Sequence, residues 1–365
     1  MKVVFRISRL GFGGAEQVFL SVAKVLKKTY GCEVIFVIDN LNGQNVITAK
    51  NLGFEVVNLA VSRTLFSVFK LAKYIRKTKP DLIISAYTDT NAACVLSQLI
   101  SFSNTKVIVS EHASLTEHWQ DKSKLKKRLL NFYVSYIYRY ADHVICVSQG
   151  LSKQVGDLLG HNRNITTIYN PVRFNKSEPK IQKDARPLIN LLAVGRITAQ
   201  KDYKTLVNAL FYLRKTHEAK LAIVGGVFCN DEYEKVYALA EKLKVAEHIT
   251  FVGYSDCVED YYKAADIFVL SSAWEGFGNV IVEAMSFGLP VVATNCNYGP
   301  GEILEGGVYG RLVDVGDYQA FAKAIEAEIN SPLVTPEQLI KRSQNFCESN
   351  IAREYHQLIS EVMHG

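Results

Sequence analysis

The sequence predicts an α/β protein built from two doubly wound parallel sheets, and three observations predict it. Short apolar runs alternate with longer amphipathic stretches along the whole chain. The runs are rich in β-branched residues and nearly continuous in apolar character, as strands covered on both faces are. The chain has 365 residues, enough for two domains at roughly 100–200 residues each.

In the first half the strand-like runs are Val3–Ser8, Glu33–Ile38, Phe54–Leu59, Asp81–Ala86, Lys106–Ser110 and His143–Val147. Helical patterns lie between them, as in Ala15–Lys28 and Leu65–Lys77. In the second half the runs are Leu191–Val194, Lys220–Val224, Ile249–Val252, Ile267–Leu270 and Pro290–Ala293. The helical patterns there include Tyr203–Lys215, Asp231–Leu243 and Val280–Phe287. Strand–helix alternation of this kind builds βαβ units. Asn170–Pro187, polar and carrying three prolines, reads as the linker. The expected division is 1–178, 179–345 and a terminal helical segment 346–365.

With 48% hydrophobic and 21% charged residues, the composition is that of a chain with ample core, which excludes a disordered protein. The N-terminus runs straight into a strand pattern, and no apolar stretch is long enough to span a bilayer, so a cytoplasmic protein is expected. The seven cysteines form no C-x-x-C pair, which argues against zinc and a disulfide framework. Residues 1–178 hold 24 Lys and Arg against 12 Asp and Glu, whereas 179–365 hold 18 against 24. A strongly basic half points to a polyanionic partner: nucleic acid, anionic lipid or a phosphate-bearing substrate.

Five segments could carry chemistry. Gly11-Phe12-Gly13-Gly14-Ala15-Glu16 joins a strand to a helix, where glycines admit a ligand to the backbone. Gly195-Arg196 ends the first strand of the second half, with Lys201 five residues on; two cations beyond a strand's carboxyl end can hold a diphosphate. Glu275-Gly276-Phe277-Gly278-Asn279-Val280 leads from a strand into a helix that carries Glu283 in its second turn. The helix-start amides make an anion site, and the two carboxylates can accept hydrogen bonds from sugar and ribose hydroxyls at different ends of one ligand. His112 follows the strand Lys106–Ser110. Lys122–Tyr140 begins with five cations and carries Leu, Phe and Tyr at helical spacing. It reads as an amphipathic helix packed on its own sheet or as one lying on an anionic membrane surface, and its basic start, Lys122–Arg128, can meet lipid head groups in either case.

From Gly195-Arg196 through Glu275-Gly276-Phe277-Gly278 and Glu283-Ala284-Met285 to Gly288–Ala293, the chain resembles the retaining glycosyltransferases of family 4. In the first half, Gly13-Gly14-Ala15-Glu16 and Glu111-His112 match in place and order. The resemblance implies the GT-B fold, two Rossmann-like domains facing a cleft, with the terminal helix 346–365 crossing back to the first domain. It casts Arg196 and Lys201 as holders of the donor diphosphate, Glu275 as partner of the donor sugar and Glu283 as partner of the ribose. Gly276 to Val280 would supply backbone amides, Gly253 and Tyr254 would lie by the base, and His112, Gly13 and Gly14 would face the sugar, diphosphate and acceptor. Thr294–Ile303 resembles a branch that makes bacterial surface polysaccharides, often from UDP-linked hexoses or N-acetylhexosamines.

The implied activity is transfer of a hexose or N-acetylhexosamine from a UDP-sugar to a lipid-linked or polysaccharide acceptor. No metal or cofactor is expected, because the site holds no Asp-x-Asp and two cations replace the ion. No nucleic-acid motif accompanies the basic half. A peripheral place on the inner membrane face fits a lipid-linked acceptor. The rival readings are an enzyme like UDP-N-acetylglucosamine 2-epimerase and a non-catalytic nucleotide-sugar-binding subunit.

Overall fold

The structure, a computed structural model, describes residues 1–11, 13–115, 123–160, 164–172 and 188–364. It divides into two compact units: Met1–Pro171 with Phe346–Gly365, and Val172–Asn345. Most of the Asn170–Pro187 linker, and with it residue 178, lies outside the described residues.

The first unit is a seven-stranded parallel sheet. Its strands are β1 (Lys2–Arg6), β2 (Glu33–Ile38), β3 (Glu55–Asn58), β4 (Leu82–Ala86), β5 (Lys106–Glu111), β6 (His143–Cys146) and β7 (Ile165–Thr167), in the order β3-β2-β1-β4-β5-β6-β7. The central strands are buried along almost their whole length. That is why they read as apolar runs without alternation. The edge strand β7 is only three residues long and half-buried, and the sequence pattern did not reveal it. The helix Gly14–Tyr30 ends at Gly31, which takes the left-handed conformation that favours glycine. The helix Glu348–His364 completes this unit: Ile351, Tyr355, Leu358 and Ile359 enter its core, and His356 stacks on Tyr30 at 3.8 Å.

The second unit is a six-stranded parallel sheet of β8 (Leu188–Val194), β9 (Glu218–Val224), β10 (Ile249–Gly253), β11 (Ile267–Leu270), β12 (Val291–Thr294) and β13 (Arg311–Val313), ordered β10-β9-β8-β11-β12-β13. Here too the missed strand, β13, is a three-residue edge. Pro336–His364 forms two helices, Pro336–Ser343 and Glu348–His364, with the turn Gln344–Phe346 between them. Thr335 and Gln338 close a reciprocal capping box at the start of the first.

In both sheets the strand order reverses beside the first strand: between β1 and β4, and between β8 and β11. Helices leave to opposite faces there, and the carboxyl ends of those strands border an open crevice.

The segment read as one helix over Lys122–Tyr140 is an α-helix over Lys124–Phe132, a π-turn over Tyr133–Ile137 and a 3-10 turn over Tyr138–Tyr140. Lys122 lies outside the described residues.

Candidate functional site

The second unit gathers most of the predicted residues at its crevice. Gly195 and Arg196 follow β8, and Lys201 closes a short 3-10 turn, Ala199–Lys201, just before the helix Tyr203–Leu213. Across the crevice, β11 runs into Ser271–Gly278 and then into the helix Asn279–Ser286. Lys201 Nζ lies 2.6 Å from Glu275 Oε1, and Ser272 Oγ donates to the same oxygen at 2.7 Å. Glu283 Oε2 accepts from Tyr262 OH at 2.8 Å, and Tyr262 in turn stacks on Phe287 at 5.2 Å. Burial pushes the Glu283 carboxyl up, while the Tyr262 hydroxyl and Lys201 hold it down. The positive Lys201 and the first-turn amides of the helix Asn279–Ser286 thus share a site with two carboxylates.

Backbone shape fixes this arrangement. Glu275 and Tyr298 exchange backbone bonds with the loop after β12: Glu275 N–H donates to Asn297 O at 2.7 Å, and Tyr298 N–H to Glu275 O at 3.0 Å. A Cβ on Gly299 would meet Phe277 O at 1.8 Å, and its φ is +103°, so this loop closes only with glycine. Phe277 itself is buried, so it presents backbone and not its ring. Gly278 takes a left-handed conformation just before the helix begins at Asn279 and Val280.

On the other side of β8, the loops after β8 and β9 run together, with Ile197 bridging Val227. The exposed Arg196 guanidinium lies over the exposed Phe228 ring, 4.8 Å from its centre. Gly253 O accepts from Gly225 N–H at 2.8 Å, so that carbonyl is engaged in extending the sheet. The exposed Tyr254 donates to Asp256 at 2.9 Å. Three residues of this region escaped the sequence reading: Ser272, Tyr262 and Phe228. Only the last carries a signal in sequence, an aromatic in a Gly-rich turn after a strand.

The first unit holds the other predicted residues at the ends of its own strands. Gly13 and Gly14 begin the helix Gly14–Tyr30, whose Glu16 folds back so closely that a Cβ on Gly13 would come 2.2 Å from its Oε2. Tyr87 OH donates to that same oxygen at 2.7 Å. Phe12 lies outside the described residues. His112 follows β5, and its ring meets Phe19 edge-on at 5.9 Å. Ser110 Oγ donates to Ser85 O at 3.0 Å, which leaves its lone pair for the His112 Nε2–H at 2.8 Å. Burial lowers the imidazole to about 4, so the ring is neutral near pH 7. Beside it the Glu111 carboxyl, among Thr88, Asn91 and Tyr138, is pushed up by burial to about 7.

Among the described residues no cluster of three His, Cys, Asp or Glu side chains is placed to hold a metal ion. Among them, too, no helix is long and apolar enough to cross a membrane.

Comparison with known proteins gives the family and the fold. The family described as Glycosyl transferases group 1 matches residues 175–346, and Glycosyltransferase Family 4 matches residues 12–176. An uncharacterised glycosyltransferase of Methanocaldococcus jannaschii, MJ1059, is 30% identical over 66% of this chain and 62% of its own length. The lipopolysaccharide core biosynthesis glycosyltransferase LpsE of Rhizobium meliloti is 32% identical over 52% of this chain and 54% of its own. The chain thus spans little more than half the length of these two relatives. A Campylobacter jejuni N-acetylgalactosaminyltransferase, named for a diphospho-undecaprenol-linked acceptor, is 24% identical over 99% of both chains. Among solved structures, Anabaena Alr3699/HepE in complex with UDP-glucose superposes with a TM-score of 0.83, at 22% identity, over 99% of this chain and all of that one. With two family matches that together run from residue 12 to 346, and a fold shared end to end with such a structure, the chain belongs to glycosyltransferase family 4 and has the GT-B fold.

Proposed function

We propose that the chain is a retaining, metal-independent glycosyltransferase that moves a hexose or N-acetylhexosamine from a UDP-sugar to a lipid-linked or polysaccharide acceptor in bacterial surface-glycan synthesis. The observation that carries this is the pair of carboxylates, Glu275 and Glu283, on either side of a helix start, with Lys201 bonded to the first. Cleaving the anomeric bond leaves negative charge on the diphosphate. Arg196, Lys201 and the amides from Gly276 to Val280 meet that charge. Each such donor is worth about 3–4 kcal/mol of barrier. Two cations serve here in place of a metal ion.

Glu283, braced by Tyr262, accepts the ribose hydroxyls. Glu275 passes from Lys201 to the donor sugar as the diphosphate takes the cation. Gly253 and Tyr254 adjoin the base. Retention of configuration requires the acceptor hydroxyl to attack from the leaving-group face, where the departing diphosphate accepts its proton. His112, neutral and held by Ser110 through its Nε2–H, accepts a hydrogen bond from a sugar hydroxyl at its other nitrogen, and Gly13 and Gly14 admit the acceptor side to the backbone. The relatives named for lipopolysaccharide core synthesis and for a diphospho-undecaprenol-linked acceptor support a surface glycan and a lipid-linked acceptor. The basic segment Lys122–Arg128 suits a cytoplasmic protein working on the inner membrane face.

The test is calorimetric titration of UDP and of GDP in EDTA, with Glu283→Ala and Arg196→Ala beside the unaltered protein. UDP binding in EDTA that both substitutions weaken supports the donor site and its independence of metal. Preference for GDP overturns the UDP assignment, and absence of any nucleotide binding by folded protein overturns the donor site itself.

A further inference from the structure

β8 and β11 carry two loops of the second unit's site, and the ladder between these strands is short. It pairs Ile267 with Leu191 and Phe268 with Leu192, and stops there. Lys201 and Glu275 both lie well past that last pair. Sheet pairing therefore does not fix the register between the loops that carry them.

Three bonds fix it instead. Ser271 Oγ donates to Lys201 O at 2.7 Å, Ala273 N–H to Gln200 O at 2.8 Å, and Gln200 Nε2 to Trp274 O at 2.9 Å. A side-chain amide can bond a carbonyl only through its nitrogen, so the orientation of the Gln200 side chain is set. The short turn that presents Gln200 is itself closed: Lys201 N–H donates to Thr198 O at 3.1 Å, and Asp202 ends it with a left-handed φ of +41°. On its other side the β11 loop is tied to the loop after β12, where Trp274 bridges Asn297. None of the three bonds uses the Lys201 ammonium or the Glu275 carboxylate. They persist, therefore, when a ligand draws that ion pair apart.

We infer that Gln200, together with Ser271, is a positioning residue for sugar transfer, holding the turn of Lys201 in register with the loop of Glu275. Its role rests on the donor site proposed above, where Lys201 meets the diphosphate and Glu275 the sugar. The bond that breaks lies between those two groups, so the register of the loops is the alignment of the reacting atoms. A displacement of about 1 Å in such an alignment can cost about a hundredfold in rate. Binding of UDP alone needs no such register, since Arg196, Lys201 and Glu283 reach the nucleotide from their own elements.

The experiment compares the unaltered full chain with Q200M, which keeps the length of the side chain but lacks its donor, and with S271A. Because the two variants remove different bonds, one that fails to fold leaves the other as the test. Calorimetry reads the Kd for UDP. Release of UDP from UDP-glucose, UDP-galactose, UDP-N-acetylglucosamine and UDP-N-acetylgalactosamine, with water as acceptor, reads kcat and KM. On the best of these sugars each variant should lower kcat about tenfold, while KM and the Kd for UDP stay within about twofold. Hydrogen exchange needs no sugar: UDP should slow exchange of the Ala273 amide in the unaltered protein, and at least about threefold less in each variant. Equal losses in kcat and in UDP affinity would make Gln200 a support of the fold alone and overturn the inference. So would an unchanged kcat or, where none of these sugars is cleaved, an Ala273 amide that UDP slows equally in all the proteins. Absence of UDP binding by the unaltered protein would overturn the donor site and this role together.

Discussion

Lys201 Nζ and Glu275 Oε1 lie 2.6 Å apart, with side chains only 14% and 9% accessible. A pair so shielded is worth little against well-packed apolar residues, but breaking it is costly, since one buried charge is left alone. Lys201→Ala is therefore expected to destabilise the second unit by about 3 kcal/mol while abolishing measurable UDP binding. The double variant K201A/E275Q removes the orphaned charge, and Ser272 Oγ can still donate to the side-chain amide oxygen that replaces the carboxylate. It should regain most of the stability and none of the affinity. Urea denaturation beside calorimetry reads both. Recovery of UDP binding in the double variant would mean that Lys201 serves only to neutralise Glu275.

Tyr262 OH donates to Glu283 Oε2 at 2.8 Å, and this bond opposes the upward push of burial on that carboxyl. Tyr262→Phe keeps the stacking on Phe287 and removes only the donor. Glu283 then titrates at a higher pH, so the ionised form that accepts ribose hydroxyls is lost sooner on acidification. UDP affinity is expected to fall about three- to tenfold near neutrality, the equivalent of one net hydrogen bond. Its decline on acidification should begin at a higher pH than in the unaltered protein. A uniform loss at all pH values would show that Tyr262 supports the helix and does not tune the carboxylate.

These two contacts show what the sequence could reveal and what it could not. The glycines and glutamates of 275–283 are legible because their spacing is local: a strand end, a turn and two helical turns fix where each backbone group goes. The partners of those glutamates are not local. Ser272 is three residues from Glu275 but carries no motif, and Tyr262 reaches Glu283 from a different helix, 21 residues away in the chain. The strands β7 and β13 were missed for a related reason. A three-residue edge strand buries too little to impose an apolar run. The amphipathic pattern of 124–140 was visible, but which apolar residues face inward depends on the neighbours of Leu130, Val134 and Tyr138.

Arg196 rests on Phe228, both exposed, at the ends of neighbouring strands. An arginine on a ring keeps its guanidinium plane in one orientation and has less freedom to lose when it binds a diphosphate. Phe228→Ala should weaken UDP binding about three- to fivefold, within the range of an exposed cation–π contact. In the background of Arg196→Ala the same change should cost nothing further. Phe228→Tyr should retain wild-type affinity. Additive losses in the calorimetric double-mutant cycle would mean that Phe228 contacts the nucleotide on its own account.

Glu111 and His112 are adjacent and titrate with opposite consequences. The Glu111 carboxyl, pushed up to about 7 from 4.5 by burial, stays protonated in the folded protein where the unfolded chain has already released its proton. Its contribution to stability is complete below pH 4.5 and is lost as the pH rises through about 7, a change of about 3 kcal/mol. His112, lowered to about 4 from 6.5, behaves in reverse: the unfolded chain takes up its proton first on acidification, so stability falls as the pH drops from 6.5 toward 4. Between 4.5 and 6.5 the two slopes oppose each other, and the melting temperature of the unaltered protein alone will hide both. Glu111→Gln isolates them, because its amide keeps an acceptor for Tyr138 OH and cannot titrate. The unfolding free energy of the unaltered protein relative to E111Q should be flat below pH 4.5, fall by about 3 kcal/mol between pH 4.5 and about 7 and level off above it, while E111Q alone weakens on acidification. Parallel curves for the two proteins would place Glu111 in its ordinary ionised state and leave Tyr138 as a donor to a buried charge.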